Sequence, residues 1–123
     1  MAEITDAQID YLASQRLGRI ATAGPDHKPH VVPTSFRYNH DLGTIDVGGM
    51  RVAQTKKYRD VQRSGYAAIV VDDLLSTDPW QPRMLEIRGR AEAIPDGGAA
   101  LGPGFAGAFI RIHPEKVNSF GID

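Results

Sequence analysis

Cysteine is absent from all 123 residues. Its absence excludes a disulfide framework, a thiolate metal site and a cysteine nucleophile, and it fits a reducing compartment. An excess of one charge is lacking too: 14 basic and 15 acidic side chains leave a net charge of −1. No overall field therefore draws the chain to nucleic acid or anionic lipid, and any anion site has to come from local clustering. No apolar run reaches membrane-spanning length, and the opening Met1-Ala2-Glu3-Ile4-Thr5-Asp6 has neither the basic patch nor the apolar stretch of a signal peptide. A cytoplasmic protein without nucleic-acid or membrane partners is expected. With 41% hydrophobic and 24% charged residues the composition is that of a globular protein, and the length suits one domain over residues 1–123.

The first element reads as a short amphipathic helix. Thr5 is placed to cap it, Gln8 is its capping-box partner, and Ile4 and Ile9 can staple the entry. Ile9, Leu12, Ala13 and Leu17 recur at helical spacing, and Gly18 is the expected stop. Strand patterns follow over 19–23, 30–38 and 44–48, separated by turn-forming stretches, and read as an antiparallel meander with Pro33 at an edge or bulge. Residues 52–63 read as a helix with Val52, Tyr58 and Val61 inward and Lys56, Lys57, Arg59 and Arg63 outward; Gly65 ends it. The apolar run 66–71 reads as a central strand buried on both faces, and 72–82 as a loop carrying the single tryptophan, Trp80. In the next segment Leu85, Ile87, Gly89, Ala91 and Ala93 alternate with Glu86, Arg88, Arg90 and Glu92, a strand with one buried face. Residues 95–107 read as an irregular loop or frayed helix, 108–112 as a last strand, and 113–117 as the start of a terminal turn. About six strands with hairpin connections and two or three short helices predict a mainly β fold, a small antiparallel barrel.

The most informative cluster for chemistry is Gly48-Gly49-Met50-Arg51 leading to Thr55-Lys56-Lys57. Paired glycines at a strand end admit close approach to the backbone. A helix start offers free N–H groups to an anion, and a hydroxyl with several cations suits a phosphate. The competing reading is a solvated basic helix face. The spacing is not that of a triphosphate P-loop. Thr34 and Ser35 on the second strand can bond the edge of a flat heterocycle, or simply face water. The four histidines, His27, His30, His40 and His113, form no metal-ligand spacing, so no metal is expected. No nucleophile elbow is present. An enzyme of this composition would borrow its chemistry from a cofactor.

Taken in order, Leu17-Gly18-Arg19-Ile20-Ala21-Thr22, Pro29-His30-Val31-Val32-Pro33, Thr44-Ile45-Asp46-Val47-Gly48-Gly49, Thr55-Lys56-Lys57-Tyr58, Glu86-Ile87-Arg88-Gly89-Arg90 and Ile110-Arg111-Ile112-His113-Pro114 resemble the pyridoxamine 5′-phosphate oxidase-like split-barrel superfamily. The similarity covers nearly the whole chain apart from 95–107 and is nearest to short actinobacterial members described as F420-dependent. The resemblance implies a six-stranded split barrel and a homodimer with cofactor sites between subunits. It places the phosphate at Arg51, Thr55, Lys56 and Lys57. It lays the ring system on Val32, Pro33, Thr34 and Ser35 and near Asp46, Val47, Gly48 and Gly49. Trp80, Arg83 and Met84 then belong to the region that closes the partner's site.

The implied activity is hydride transfer from reduced F420 to a small, conjugated organic substrate. An FMN-binding flavoprotein and a non-catalytic protein that stores or shields a cofactor are the alternatives. The longer anionic tail of F420 would call on further cations such as Arg59 or Arg63. No catalytic acid is assigned; Thr34, Ser35, Tyr38 and solvent are the proton sources considered. Pyridoxamine phosphate oxidation itself is not expected, because that activity uses a longer C-terminal segment. Phe120 also stands where the subgroup often has tryptophan.

Overall fold

The computed structural model describes residues 2–122; Met1 and Asp123, the ends of the expected domain, lie outside the described residues. Helix α1 (Asp6–Ser14) is followed by strands β1 (Leu17–Ala23), β2 (Pro29–Asn39) and β3 (Thr44–Gly48). A 3₁₀ turn (Val52–Gln54), helix α2 (Lys56–Ser64) and the long strands β4 (Tyr66–Thr77) and β5 (Trp80–Ile94) come next. A second 3₁₀ turn (Gly98–Leu101) leads to β6 (Phe109–Ile112) and β7 (Lys116–Phe120).

The start of α1 is built as its residues require. The Thr5 hydroxyl accepts from the Gln8 N–H at 3.2 Å, and the Gln8 side chain accepts from the Thr5 N–H at 2.9 Å. Replacing Thr5 with Ala is expected to lower stability by about 1 kcal/mol, the usual worth of such a cap. A urea midpoint unchanged from the parent would show that α1 is held by packing alone. The helix ends earlier than its apolar spacing predicts. Gln15 is its C-cap, and Leu17 and Gly18 already belong to β1.

Strand pairing closes a ring: β4-β1-β2-β3-β6-β5, with β5 returning to β4. These are the six strands expected from the alternation patterns. The seventh, β7, replaces the expected terminal turn and pairs with β5 from Met84 to Arg88, while β6 pairs with β5 from Ala91 to Ile94. The two therefore lie end to end along one edge of β5. Their junction is fastened by His113 N–H to the Arg90 carbonyl at 2.8 Å and Glu115 N–H to the Arg88 carbonyl at 2.9 Å. Only β6 continues the ring to β3, so the barrel is split beside β7. The chain thus forms a mainly β, antiparallel split barrel.

The barrel is filled by Ile20, Ile45, Val47, Ile69, Val71, Leu85, Ile87, Ile110 and Ile112, all buried, with Tyr58 and Val61 of α2 and Leu12 of α1 closing onto them. β5 shows the expected alternation over Leu85–Glu92. Two expectations are corrected. β4 is buried mainly on one face rather than both. Residues 72–82 are not a loop but the far half of a hairpin, in which Asp72 pairs with Met84 and Thr77 with Trp80. Aspartates and prolines resemble a loop in composition, but in this hairpin Asp73 is satisfied by the Arg83 guanidinium at 2.9 and 2.6 Å and by the Tyr11 hydroxyl at 2.9 Å. Among the described residues, no helix is long and apolar enough to cross a membrane.

Candidate functional site

β2 runs past the end of β3: the last pair is Ser35 with Gly48, and Pro33 lies beyond it. Pro33 has no N–H to offer, so it fits a stretch where β3 no longer supplies a partner. Alternation along β2 turns Val31, Pro33, Ser35 and Arg37 outward, while Thr34 is only 6% exposed. Val31 is 64% exposed despite being apolar. The outer face of β2 is thus a flat ledge with an apolar end.

At the end of this ledge the chain leaves β3 and turns into α2. Pro33, Thr34, Ser35, Gly48 and Gly49 line one side of a cleft of about 280 Å³; Met50, Arg51, Val52, Thr55 and Lys57 line the other. The expected single helix over 52–63 is broken here. The Thr55 hydroxyl donates to the Val52 carbonyl at 2.6 Å and caps α2 by accepting from the Tyr58 N–H at 3.3 Å. Helix α2 therefore begins at Lys56. The first two N–H groups of α2, on Lys56 and Lys57, make no hydrogen bond among the described residues. Free N–H groups at a helix start favour an anion.

The basic residues separate into two sets. Lys56 Nζ holds both carboxylate oxygens of buried Asp60 at 3.0 Å, and Thr22 donates to the same group at 2.8 Å. Arg63 also reaches Asp60 and bonds the Ala23 carbonyl, and Arg59 donates to the Gln54 carbonyl at 3.2 Å. Arg51 and Lys57 have no carboxylate partner among the described residues, and both line the cleft. Burial pulls the Lys57 amine below the ordinary lysine value. A cation that is partly desolvated and unpaired gains more from an arriving anion than an exposed one.

Several expected site residues have other work in this chain. Asp46 is 0% exposed and is gripped by the Arg111 guanidinium through two bonds of 3.0 Å, with Thr44 at 2.9 Å and Asn39 at 3.0 Å. Val47 is in the core, and Val32 packs against it. Thr34 touches the cleft, but its hydroxyl donates to the Ser35 carbonyl at 3.1 Å. The Lys56 side chain lies along the β1–β2 turn, 3.1 Å from the position of a Cβ on Gly24. Trp80 and Arg83 lie at the β4–β5 hairpin beside a separate hollow shared with Leu75 and Phe120, and Met84 pairs with Phe120. Tyr38 stands edge-on to His40, 4.9 Å away, near the β2–β3 turn.

Of the two glycines, only one departs from expectation. Gly48 does not leave room for a ligand, because the Phe105 ring already fills the place of its side chain; Gly49 is open, with only a Val52 methyl 3.6 Å from a Cβ position. Met50 belongs to the expected cluster Gly48-Gly49-Met50-Arg51, whereas Phe105 was not among the expected residues. The period of two along β2 marks Val31 once Pro33 and Ser35 are taken as outward. Phe105 carries no local signal at all.

Two buried or partly buried carboxylates predict acid lability. Burial would raise the Asp60 carboxyl, but Lys56, Thr22 and Arg63 together hold it below the ordinary value of 3.8. Hydrogen bonds from Arg83 hold Asp73 low against its burial. A carboxyl depressed on folding stabilises the fold above its unfolded value, and that contribution disappears as pH falls through the folded one. Urea unfolding followed over pH is expected to weaken below 3.8. Asp60→Asn should be less stable at neutral pH and decline less steeply in acid; a slope identical to the parent's would remove Asp60 as a source. Among the described residues no cluster of histidine and carboxylate side chains could hold a metal ion.

Comparison with known proteins agrees with this architecture. The family model for pyridoxamine 5′-phosphate oxidase matches residues 4–119. A 5a,11a-dehydrotetracycline/5a,11a-dehydrooxytetracycline reductase of Streptomyces rimosus is 40% identical over 119 residues, covering 97% of this chain and 84% of the relative. Among solved structures, a conserved hypothetical protein from Mycobacterium tuberculosis superposes with a TM-score of 0.75 at 20% identity, over 96% of this chain and 85% of the other. An FAD-binding protein from Mycobacterium smegmatis superposes with a TM-score of 0.71 at 20% identity, over 98% and 97%. At that identity the structures speak for the fold; the sequence matches go further, and the chain belongs to the pyridoxamine 5′-phosphate oxidase family.

Proposed function

We propose that this chain is an oxidoreductase that takes hydride from reduced F420 and delivers it to a small, conjugated organic substrate. The observation that carries the reading is the 40% identity, along 97% of the chain, to a reductase of dehydrotetracyclines. The choice of F420 rests on the resemblance to short actinobacterial family members. The cleft fits the phosphate end of such a cofactor: Arg51 and Lys57 line it without a carboxylate partner among the described residues, and α2 starts beside it with two unbonded N–H groups. The ledge of Val31, Pro33 and Ser35 supplies a flat surface for a ring system.

When bound, the reduced deazaflavin supplies the hydride. The chain's own residues bind, orient and shield. Lys57 and Arg51 neutralise the phosphate, and the capped start of α2 presents its N–H groups in a fixed direction. Pro33 and Val31 exclude water from one ring face. The Ser35 hydroxyl, outward on the ledge, can pass a solvent proton to the substrate; Thr34 is already bonded.

A cleft of about 280 Å³, open to solvent, is smaller than the space a tricyclic ring with its tail usually occupies. A second copy of the chain is proposed as the missing wall. The exposed apolar group Leu74, Leu75, Trp80 and Phe120 at the β4–β5 hairpin and β7 is the surface offered for it. Sedimentation at micromolar concentration is expected to give a dimer, and a monomer with full cofactor affinity would refute the shared site.

One observation favours FMN instead. Arg59 and Arg63, the further cations that an anionic glutamyl tail would call on, are bonded to Gln54, Asp60 and Ala23. A single phosphate needs only Arg51 and Lys57. Side-by-side fluorescence titration with FMN and F420 tests both, with the proposal requiring the tighter dissociation constant for F420. Turnover of the bound, reduced cofactor with conjugated enones then separates an enzyme from a storage protein.

A further inference from the structure

The ledge on β2 has a side wall that comes from far along the chain. Ser35 and Gly48 are direct cross-strand partners, so their side-chain positions share one face and stand roughly 5 Å apart. Gly48 has no side chain, and the Phe105 ring takes its place: a Cβ on Gly48 would lie 2.4 Å from Phe105 Cδ1 and 2.9 Å from Cε1. The ring therefore occupies the side-chain position of Gly48, a residue that lines the cleft together with Ser35. It is half-buried.

The position of the ring is held by the backbone around it. The Ala106 N–H donates to the Gly49 carbonyl at 3.0 Å, and the Phe105 N–H to the Gly102 carbonyl at 3.2 Å. Arg37, outward on β2 two places beyond Ser35, donates to the Leu101 carbonyl. The segment that carries Phe105 is thus tied to both strands that build the ledge. Gly102, Gly104 and Gly107 provide the positive-φ bends that bring it there.

We propose that Phe105 is a specificity-determining residue, the side wall that limits how wide a conjugated substrate can lie over the β2 ledge. This rests on reading the cleft as a cofactor site. A flat two-ring compound fits beside the wall, whereas a four-ring compound has to pass over it. The aromatic ring also offers an edge or face to a planar substrate.

Calorimetric titration of the cofactor-loaded protein with coumarin, which has two fused rings, and with tetracycline, which has four, tests the proposal. Phe105→Ala should raise the affinity for tetracycline relative to coumarin by about tenfold, the size expected when a pocket wall is removed. Gly48→Ala should shift the same ratio from the opposite side, because its Cβ expels the ring, and Phe105→Leu should fall between. The two Phe105 variants should still bind the cofactor, because Arg51 and Lys57 at its phosphate end are untouched. An unchanged ratio in Phe105→Ala and Phe105→Leu, both still loaded with cofactor, would overturn the role of Phe105 alone. A parent protein that binds cofactor but neither probe would also overturn it. Failure of the parent to bind either FMN or F420 would sink the functional reading, and this inference with it.

Discussion

Asp46→Ala is expected to cost roughly 3–5 kcal/mol of stability, the loss typical of removing one partner from a buried, hydrogen-bonded ion pair. The Asp46 carboxylate is fully buried and accepts from Arg111, Thr44 and Asn39. Without it the Arg111 guanidinium, 19% exposed, has lost its counter-charge, and the buried Thr44 hydroxyl has lost its acceptor. Domains of this size have about 5–15 kcal/mol to lose, so a large part of the population would unfold on mild warming. Urea unfolding at neutral pH measures the loss. Arg111→Ala in the Asp46→Ala background should cost less than the two single changes added, since the second change removes the stranded charge. Cofactor titration of the same variant decides what Asp46 is for. A variant that keeps its stability but loses cofactor affinity would restore it to the binding site.

Asp46 also illustrates how much of the molecule was legible before its structure. The strands were readable because each face of the barrel imposes a period of two, most plainly in β5 from Leu85 to Glu92. The α1 cap was readable because its two bonds join residues three apart. What failed was anything decided by a distant partner. Asp72 and Asp73 fit the expected loop over 72–82 by composition, but Arg19 and Arg83 pair with them. β7 lies on an outer edge and is mostly exposed, so it lacks a buried face to set its period. Phe105 reaches Gly48 across the whole β4–β5 hairpin, and nothing near either residue announces the contact. The place where β3 leads through two glycines to a basic helix start was legible, because those features are local in sequence, and the structure has a cleft there. The different surroundings of Lys56 and Lys57 were less legible, although the spacing of Lys56 and Asp60 at i and i+4 already favoured that pair.

That choice between neighbours gives the sharpest test of the site. Lys57→Ala should weaken cofactor binding by about 1.5–3 kcal/mol, the range for a hydrogen bond to a charged group. By fluorescence titration this corresponds to a rise in dissociation constant of roughly 10- to 150-fold. Stability should not fall, because Lys57 has no partner among the described residues and its amine is already strained by desolvation. Lys56→Ala makes the same change in charge one residue earlier and should do the reverse. It strips buried Asp60 of its bidentate partner and lowers stability, while leaving cofactor affinity near that of the parent. A general electrostatic effect of a basic helix face would weaken binding equally in both variants, and only a contact at Lys57 separates them. The pH profile adds an independent sign. Burial lowers the Lys57 value below 10.5, so in the parent, affinity for the anion should begin to decline at a lower pH than an ordinary lysine would give. Lys57→Ala should lack that alkaline step, and Lys56→Ala should keep it. If Lys57→Ala bound the cofactor as tightly as the parent, Lys57 would not be the contact, and Arg51, which lines the same cleft, would be left as the cation that holds the phosphate.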